Sequence, residues 1–159
     1  MVDHKIHTLV FDWGNTLMVD FPQYHGKMKD WPEIKVIEGV EETFPNLSKQ
    51  YHLVLATNAE DSNKEDILQA LKRGSLDQFF SHIYCFQELQ VKKPSPEFFY
   101  RIQKSVNSHP DEIIMIGDDY ITDLIGAKQA GWKAIWFNPN YKSAPAHQPY
   151  HDQEISSFK

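Results

Sequence analysis

Apolar runs of strand length alternate with stretches of helical character along most of the chain. The runs fall at about 6–12, 52–57, 82–86, 112–117 and 133–138, and the helical stretches at about 39–49, 62–73, 95–107 and 121–130. Such alternation predicts an α/β fold, a mostly parallel five-stranded sheet joined by crossover helices. Local signals mark some ends: Ser95-Pro96-Glu97 opens one helix as a cap, a first-turn proline and an early acid, and Gly131 closes the last. Pro45 falls inside the first helical stretch, where it removes one intrahelical hydrogen bond and bears on the length of that helix. The tail from Asn138 to Tyr150 holds Pro139, Pro145 and Pro149 and reads as a loop before a short terminal strand or cover near Glu154–Phe158.

Polar residues close four of these apolar runs. Asp12 follows His7–Phe11, Thr57-Asn58 follows Leu53–Ala56, Lys93-Pro94 comes shortly after Ile83–Phe86, and Gly117-Asp118-Asp119 follows Ile113–Ile116. In a parallel sheet, ligands bind beyond the carboxyl ends of the strands, so all four signals converge on one predicted site. A carboxylate at the end of a buried strand is costly unless it has a partner, a metal or a reaction to perform. Taken singly, each signal has a plain structural explanation: a turn aspartate, a strand-end hydroxyl, an uninformative Lys-Pro pair. Their order on the expected elements is what makes them specific.

Size and charge narrow the picture. A chain of 159 residues is expected to form one domain, 1–159, with one layered core. The formal charge of −6 and the lack of a Lys/Arg block argue against a nucleic-acid or anionic-membrane surface. Cys85 is the only cysteine and sits in an apolar run, which predicts a buried structural thiol and a reducing, cytoplasmic setting. No apolar run approaches the roughly 18 residues that a membrane span needs. The eight histidines are dispersed without metal-ligand spacing.

The order Asp12, Thr57, Lys93, Asp118 resembles the haloacid dehalogenase-like (HAD-like) phosphohydrolase superfamily, and the resemblance covers nearly the whole chain. It implies a Rossmann-like three-layer sandwich whose first strand lies centrally, beside the strands carrying Thr57 and Asp118. Asp12 is then the nucleophile, forming an aspartyl phosphate that splits one difficult displacement into two. Mg²⁺ is the fitting metal, since this hard ion binds through one or two carboxylates plus phosphate oxygens. The implied protein ligands are Asp12, Asp118 and the backbone carbonyl of Gly14, with Asp123 orienting metal waters or Lys93. Thr57 and Asn58 would take phosphate oxygens at a strand-to-helix turn. Lys93, directly before Pro94, is favoured over Lys92 as the neutralising cation, and Asp119 reads as a helix-start acid. Trp13 is expected to pack beside the nucleophile, and Asp20–His25 to form a substrate-facing flap with Tyr24 or His25 as contacts.

Two departures bear on mechanism. Phosphatases of the family usually carry an aspartate two residues beyond the nucleophile as general acid and base, whereas this chain has Gly14, and the amide of Asn15 has no useful proton to transfer. Only about 35 residues separate Thr16 from the second strand, too few for a full cap domain. An open site suits an exposed phosphate on a larger substrate, a phosphorylated small molecule covered by a neighbouring subunit in a homo-oligomer, or a small substrate bound weakly. The expected activity is a Mg²⁺-dependent phosphatase. Its alternatives are a phosphonate or other carbon-centred hydrolase of the same fold and a catalytically weak phosphate-binding regulatory module.

Overall fold

Six parallel strands form one sheet in the order β3-β2-β1-β4-β5-β6. The computed structural model describes residues 5–145 and 150–159. The strands are β1 (Thr8–Phe11), β2 (His52–Ala56), β3 (Phe80–Tyr84), β4 (Ile113–Gly117), β5 (Lys133–Phe137) and β6 (Gln153–Ile155). The helices are α1 (Val40–Gln50), α2 (Lys64–Arg73), α3 (Phe86–Leu89), α4 (Pro96–Ser105) and α5 (Gly126–Gln129), the last continuing from a π-helical segment at Tyr120–Ile125. As the resemblance implies, β1 is central, flanked by the strands that lead to Thr57 and Asp118.

Both faces of the sheet are covered, which is why its strands read as continuous apolar runs. Alternate residues divide between two cores. Leu9, Phe11, Leu53 and Leu55 face α1 and α2 through Phe44, Ile67 and Leu71, while Val10, Val54 and Met115 face α4 and α5 through Phe98, Phe99 and Ala127, with Trp132 packing just beyond α5. Phe11 is fully buried with its ring centroid 4.8 Å from that of Phe44. Truncating such a residue typically costs about 3–5 kcal/mol.

The five-strand expectation is corrected to six. The sixth is the terminal strand expected near Glu154–Phe158: Gln153-Glu154-Ile155 is too polar to count as an apolar run, yet it pairs with Ile135–Phe137 at the sheet edge. Asp152 locks its approach, since its carboxylate accepts from the Ala134 N–H at 2.8 Å and pairs with Lys128 at 3.0 Å. Two helix details differ from the sequence expectation: Ser95 occupies the cap position of α4 without a side-chain capping bond, and the last helical stretch begins with π geometry. Pro45 lies inside α1, within the stretch expected at 39–49. Cys85 is buried, as expected. Among the described residues no helix is long and apolar enough to cross a membrane. Residues 146–149 of the proline-containing tail, Pro149 included, and the polar start before Lys5 lie outside the described residues.

Candidate active site

Register carries the polar signals to one end of the sheet. Phe11 pairs with both Leu55 and Ile116, so Asp12, Thr57 and Asp118 leave the central strands side by side. Lys93 reaches them from the loop between α3 and α4. Its ammonium donates to Asp12 Oδ1 at 3.0 Å, to Asp123 Oδ1 at 2.7 Å and to the Ala56 carbonyl at 2.9 Å, one acceptor for each of its protons. With 2 % of its side chain exposed, burial disfavours the Lys93 charge, but Asp12 and Asp123 outweigh it and hold the ammonium above the ordinary lysine range. Lys93 is therefore a fixed cation.

The carboxylates divide by environment. Burial would raise Asp12, yet the Lys93 charge and several hydrogen bonds win, leaving its carboxyl below the usual range and ionised. For Asp118, burial and then the adjacent Asp12 push the carboxyl up to about 7. Burial and the Asp12 charge push Asp123 well above the usual range, with Lys93 pulling the other way. Carboxylate oxygens of the three lie within 4.8 Å of one another. Asp123 has both oxygens committed, Oδ1 to Lys93 and Oδ2 to the Asp119 N–H at 3.2 Å. Asp12 and Asp118 remain as the pair that could share a cation, and the Thr16 hydroxyl stands between them, 3.1 Å from Asp118 Oδ1 and 3.4 Å from Asp12 Oδ2.

Gly117 makes this packing feasible. A Cβ there would fall 2.2 Å from Asp123 Oδ2, so any other residue would evict the carboxylate. Asp119 starts the following helix, accepting from the Thr122 N–H at 3.2 Å, and Trp136 on β5 donates its indole N–H to the Asp118 carbonyl at 3.1 Å.

Thr57 is buried at the turn after β2, where its hydroxyl oxygen accepts the Ala59 N–H at 3.1 Å. Its hydroxyl proton can go to an anion. The Asn58 side chain is spent elsewhere: it accepts from the Lys93 N–H at 2.8 Å and donates to the Lys93 carbonyl at 2.9 Å, fixing the lysine loop. Only its backbone amide is left for phosphate. Lys92 turns outward to pair with Glu60 and covers the Phe86 ring.

These residues floor a cavity of about 560 Å³. Its outer wall is the connection from 20 to 35, where Phe21, Tyr24 and Trp31 form an aromatic cluster with centroids 5.5–6.5 Å apart. Arg73 at the end of α2 donates to the carbonyls of Met28, Lys29 and Trp31 at 3.2, 3.1 and 2.7 Å. Asp66, the reciprocal capping residue of α2, pairs with Lys27 at 2.8 Å and Lys29 at 3.2 Å, contacts that hold its carboxyl down at about 2. Tyr24 and His25, expected at a flap, do line the cavity, as do Met28 and Trp31. Trp13 is buried, donates to Met18 Sδ at 3.3 Å and shows one edge to the cavity.

The same order of motifs on the same topology matches the family model described as haloacid dehalogenase-like hydrolase over residues 7–137. The chain belongs to that family. A glyceraldehyde 3-phosphate phosphatase from Pyrococcus furiosus is 33% identical over 104 residues, covering 65% of this chain and 42% of the relative. This chain thus spans less than half the length of the curated relatives it matches. Among solved structures, an uncharacterized protein from Listeria monocytogenes serotype 4b superposes with a TM-score of 0.84 at 24% identity, over 96% of this chain and 93% of the other. The HAD-hydrolase YfnB of Bacillus subtilis, solved bound to magnesium, gives 0.78 at 18% identity over 97% and 96%. Both likenesses establish the HAD-like fold.

Every residue singled out at a strand end lies at this site. Sequence reasoning passed over Thr16, the side-chain role of Asn58, Trp136 and the wall residues Met28 and Trp31. The position of Thr16, four residues after Asp12, was the one local signal available among them.

Proposed function

We propose that this chain is a Mg²⁺-dependent phosphohydrolase working through a phosphorylated Asp12. The pairing at Asp12 carries the reading: one carboxylate oxygen is anchored by a permanently charged, buried ammonium, and the group is held ionised at the floor of an open polar cavity. Asp12 attacks phosphorus as the bond to the leaving oxygen breaks, and water later attacks the phosphoryl group to release phosphate and restore the carboxylate. Lys93 offsets charge at the nucleophile, while the Thr57 hydroxyl and the Asn58 backbone N–H take phosphoryl oxygens. The donor set suits Mg²⁺, being hard oxygens from Asp12, Asp118 and the Gly14 carbonyl, with like charge that already drives Asp118 to about 7. When bound there, the ion supplies charge neutralisation between nucleophile and phosphate. Asp123 acts behind this set by holding Lys93.

A cavity of about 560 Å³ suits a phosphorylated small molecule, the class that includes the substrate for which the Pyrococcus relative is named. The single buried thiol fits a cytoplasmic setting. Phosphate release from a panel of phosphate esters, with and without Mg²⁺, tests the proposal. The native chain should turn over only with the metal, and Asp12→Asn should abolish turnover while the circular dichroism spectrum is unchanged. Full activity in a verified Asp12→Asn preparation would overturn the mechanism. Metal-dependent phosphate binding with no turnover would select a regulatory module, and release from phosphonates alone a carbon-centred hydrolase.

A further inference from the structure

Turnover of an unactivated phosphate ester needs a proton for the leaving oxygen and a base for the incoming water. Asp12 is the nucleophile, Asp118 lies beside it, Asp123 is held on Lys93, Asp119 accepts the Thr122 N–H, and Asp61, which also lines the cavity, stands on the loop between β2 and α2. Asp20 stands apart. The three heavy atoms nearest to the place of a Cβ on Gly14 all belong to Asp20: its Cβ at 3.4 Å, Oδ2 at 3.6 Å and Cγ at 3.7 Å. Its side chain thus lies along the turn that follows the nucleophile, within the reach that a longer side chain at position 14 would have. Asn15, at φ 61°, fixes the arrangement by accepting the Asp20 N–H at 3.0 Å. Asp12, Gly14 and Asp20 line the same cavity, and Asp20 is solvent-exposed.

We propose that Asp20 is the catalytic acid and base of this site, supplying from the outer connection the carboxyl that Gly14 lacks. The assignment rests on the phosphohydrolase reading above. As the Asp12–phosphorus bond forms and the bond to the leaving oxygen breaks, the Asp20 carboxyl gives its proton to that oxygen and an alcohol departs. In the second half, the Asp20 carboxylate takes a proton from water as the water oxygen bonds to phosphorus and the Asp12–phosphorus bond breaks. Inorganic phosphate leaves, and both side chains return to their starting states. Gly14 has a structural reason in this scheme, because a second carboxylate there would compete with Asp20 for one volume.

The test compares native protein, Asp20→Asn, Gly14→Asp, the Gly14→Asp/Asp20→Ala double variant, which clears the shared volume, and His25→Gln, all with Mg²⁺, on alkyl phosphates and p-nitrophenyl phosphate. Asp20→Asn should slow alkyl ester cleavage by about 10²-fold or more. It should leave the first turnover of p-nitrophenyl phosphate nearly intact, because nitrophenolate departs without a proton, and then stall, giving a stoichiometric nitrophenolate burst. Moving the carboxylate back in the double variant should recover part of the alkyl rate, while Gly14→Asp alone should not exceed native. Equal slowing of alkyl and aryl first turnovers in Asp20→Asn, or no slowing, overturns the Asp20 assignment while the hydrolase reading stands on native turnover. Selective slowing of the alkyl esters in His25→Gln, with Asp20→Asn unaffected, does the same. A native protein that cleaves no ester overturns the underlying reading, and the assignment with it.

Discussion

The floor and the outer wall of the cavity are held together by different physics. On the floor, one ammonium and two carboxylates meet within hydrogen-bond distance, with 2 %, 14 % and 0 % of the Lys93, Asp12 and Asp123 side chains exposed. Charges so shielded interact strongly and have nowhere else to go. The wall at 20–35 is fastened to α2 by Lys27 and Lys29, whose side chains keep 41 % and 27 % exposure, by Arg73 on three carbonyls, and by aromatic edges. Water competes for each of those ionic contacts. The floor is thus built for one fixed chemistry, whereas the wall, although Met28 and Trp31 are buried in the core, is tied to α2 by ionic contacts that water can reach.

Breaking the floor should have the largest effect. Lys93→Met leaves Asp12 and Asp123 facing each other without their shared cation, and removing one partner of a buried pair typically costs about 3–5 kcal/mol. We expect a lowered urea midpoint together with loss of phosphatase activity. The penalty should be greater at pH 8 than at pH 5, where the orphaned carboxyls can protonate instead. A midpoint unchanged from native would show that the floor is no more tightly coupled than the wall.

A cation should sharpen the contrast through Asp118. Its folded-state value of about 7 lies above the ordinary aspartate value of 3.8, so the folded protein binds this proton more tightly than the unfolded chain does. The resulting stabilisation is full below 3.8 and is lost as pH rises through about 7. Above that point the exposed cost is like-charge repulsion with Asp12, which a Mg²⁺ ion held between them would relieve. The Mg²⁺-induced gain in Tm should therefore be larger at pH 8 than at pH 6, with apparent affinity falling by up to about tenfold per pH unit below 7. Thermal shifts across pH check this, and Asp118→Asn should flatten the dependence; an equal gain at both pH values in the native chain would remove Asp118 from the metal set.

The floor was legible because its residues stand where apolar runs stop. Strands buried on both faces declare themselves by continuous hydrophobicity, and a polar residue at their end is conspicuous. Nothing comparable marks the wall: Met28 and Trp31 acquire their places from Arg73, more than forty residues later. Asn58 is a similar case, since its side chain is defined by a bond to Lys93 across thirty-five positions. β6 is legible only as a terminal strand or cover near Glu154–Phe158, outside the five apolar strands, because an edge strand of Gln-Glu-Ile has no apolar pattern and rests on the Asp152 anchor and a free neighbour in β5. The nearness of Asp20 to Gly14 is likewise spatial, created by the turn that Asn15 closes.

The smallest effect belongs to the wall itself. Arg73→Ala removes the guanidinium that gathers the carbonyls of Met28, Lys29 and Trp31, yet the Asp66 ion pairs and the Phe21–Tyr24–Trp31 cluster stay in place. Such a loosened wall still leaves Asp12, Lys93 and Asp123 untouched, because none of them contacts Arg73 in the hydrogen-bond network that fixes the floor. Uniform binding energy lost from a remote contact raises KM without lowering kcat. We expect KM for a small phosphate ester to rise by about two- to tenfold, with kcat and the Mg²⁺ requirement near native. Steady-state kinetics on the purified variant decide the matter. A fall in kcat at constant KM would mean that the wall helps to set the chemistry on the floor, as it would if Asp20 moved with it, and Asp20→Asn in the Arg73→Ala background would then cost less than in the native chain.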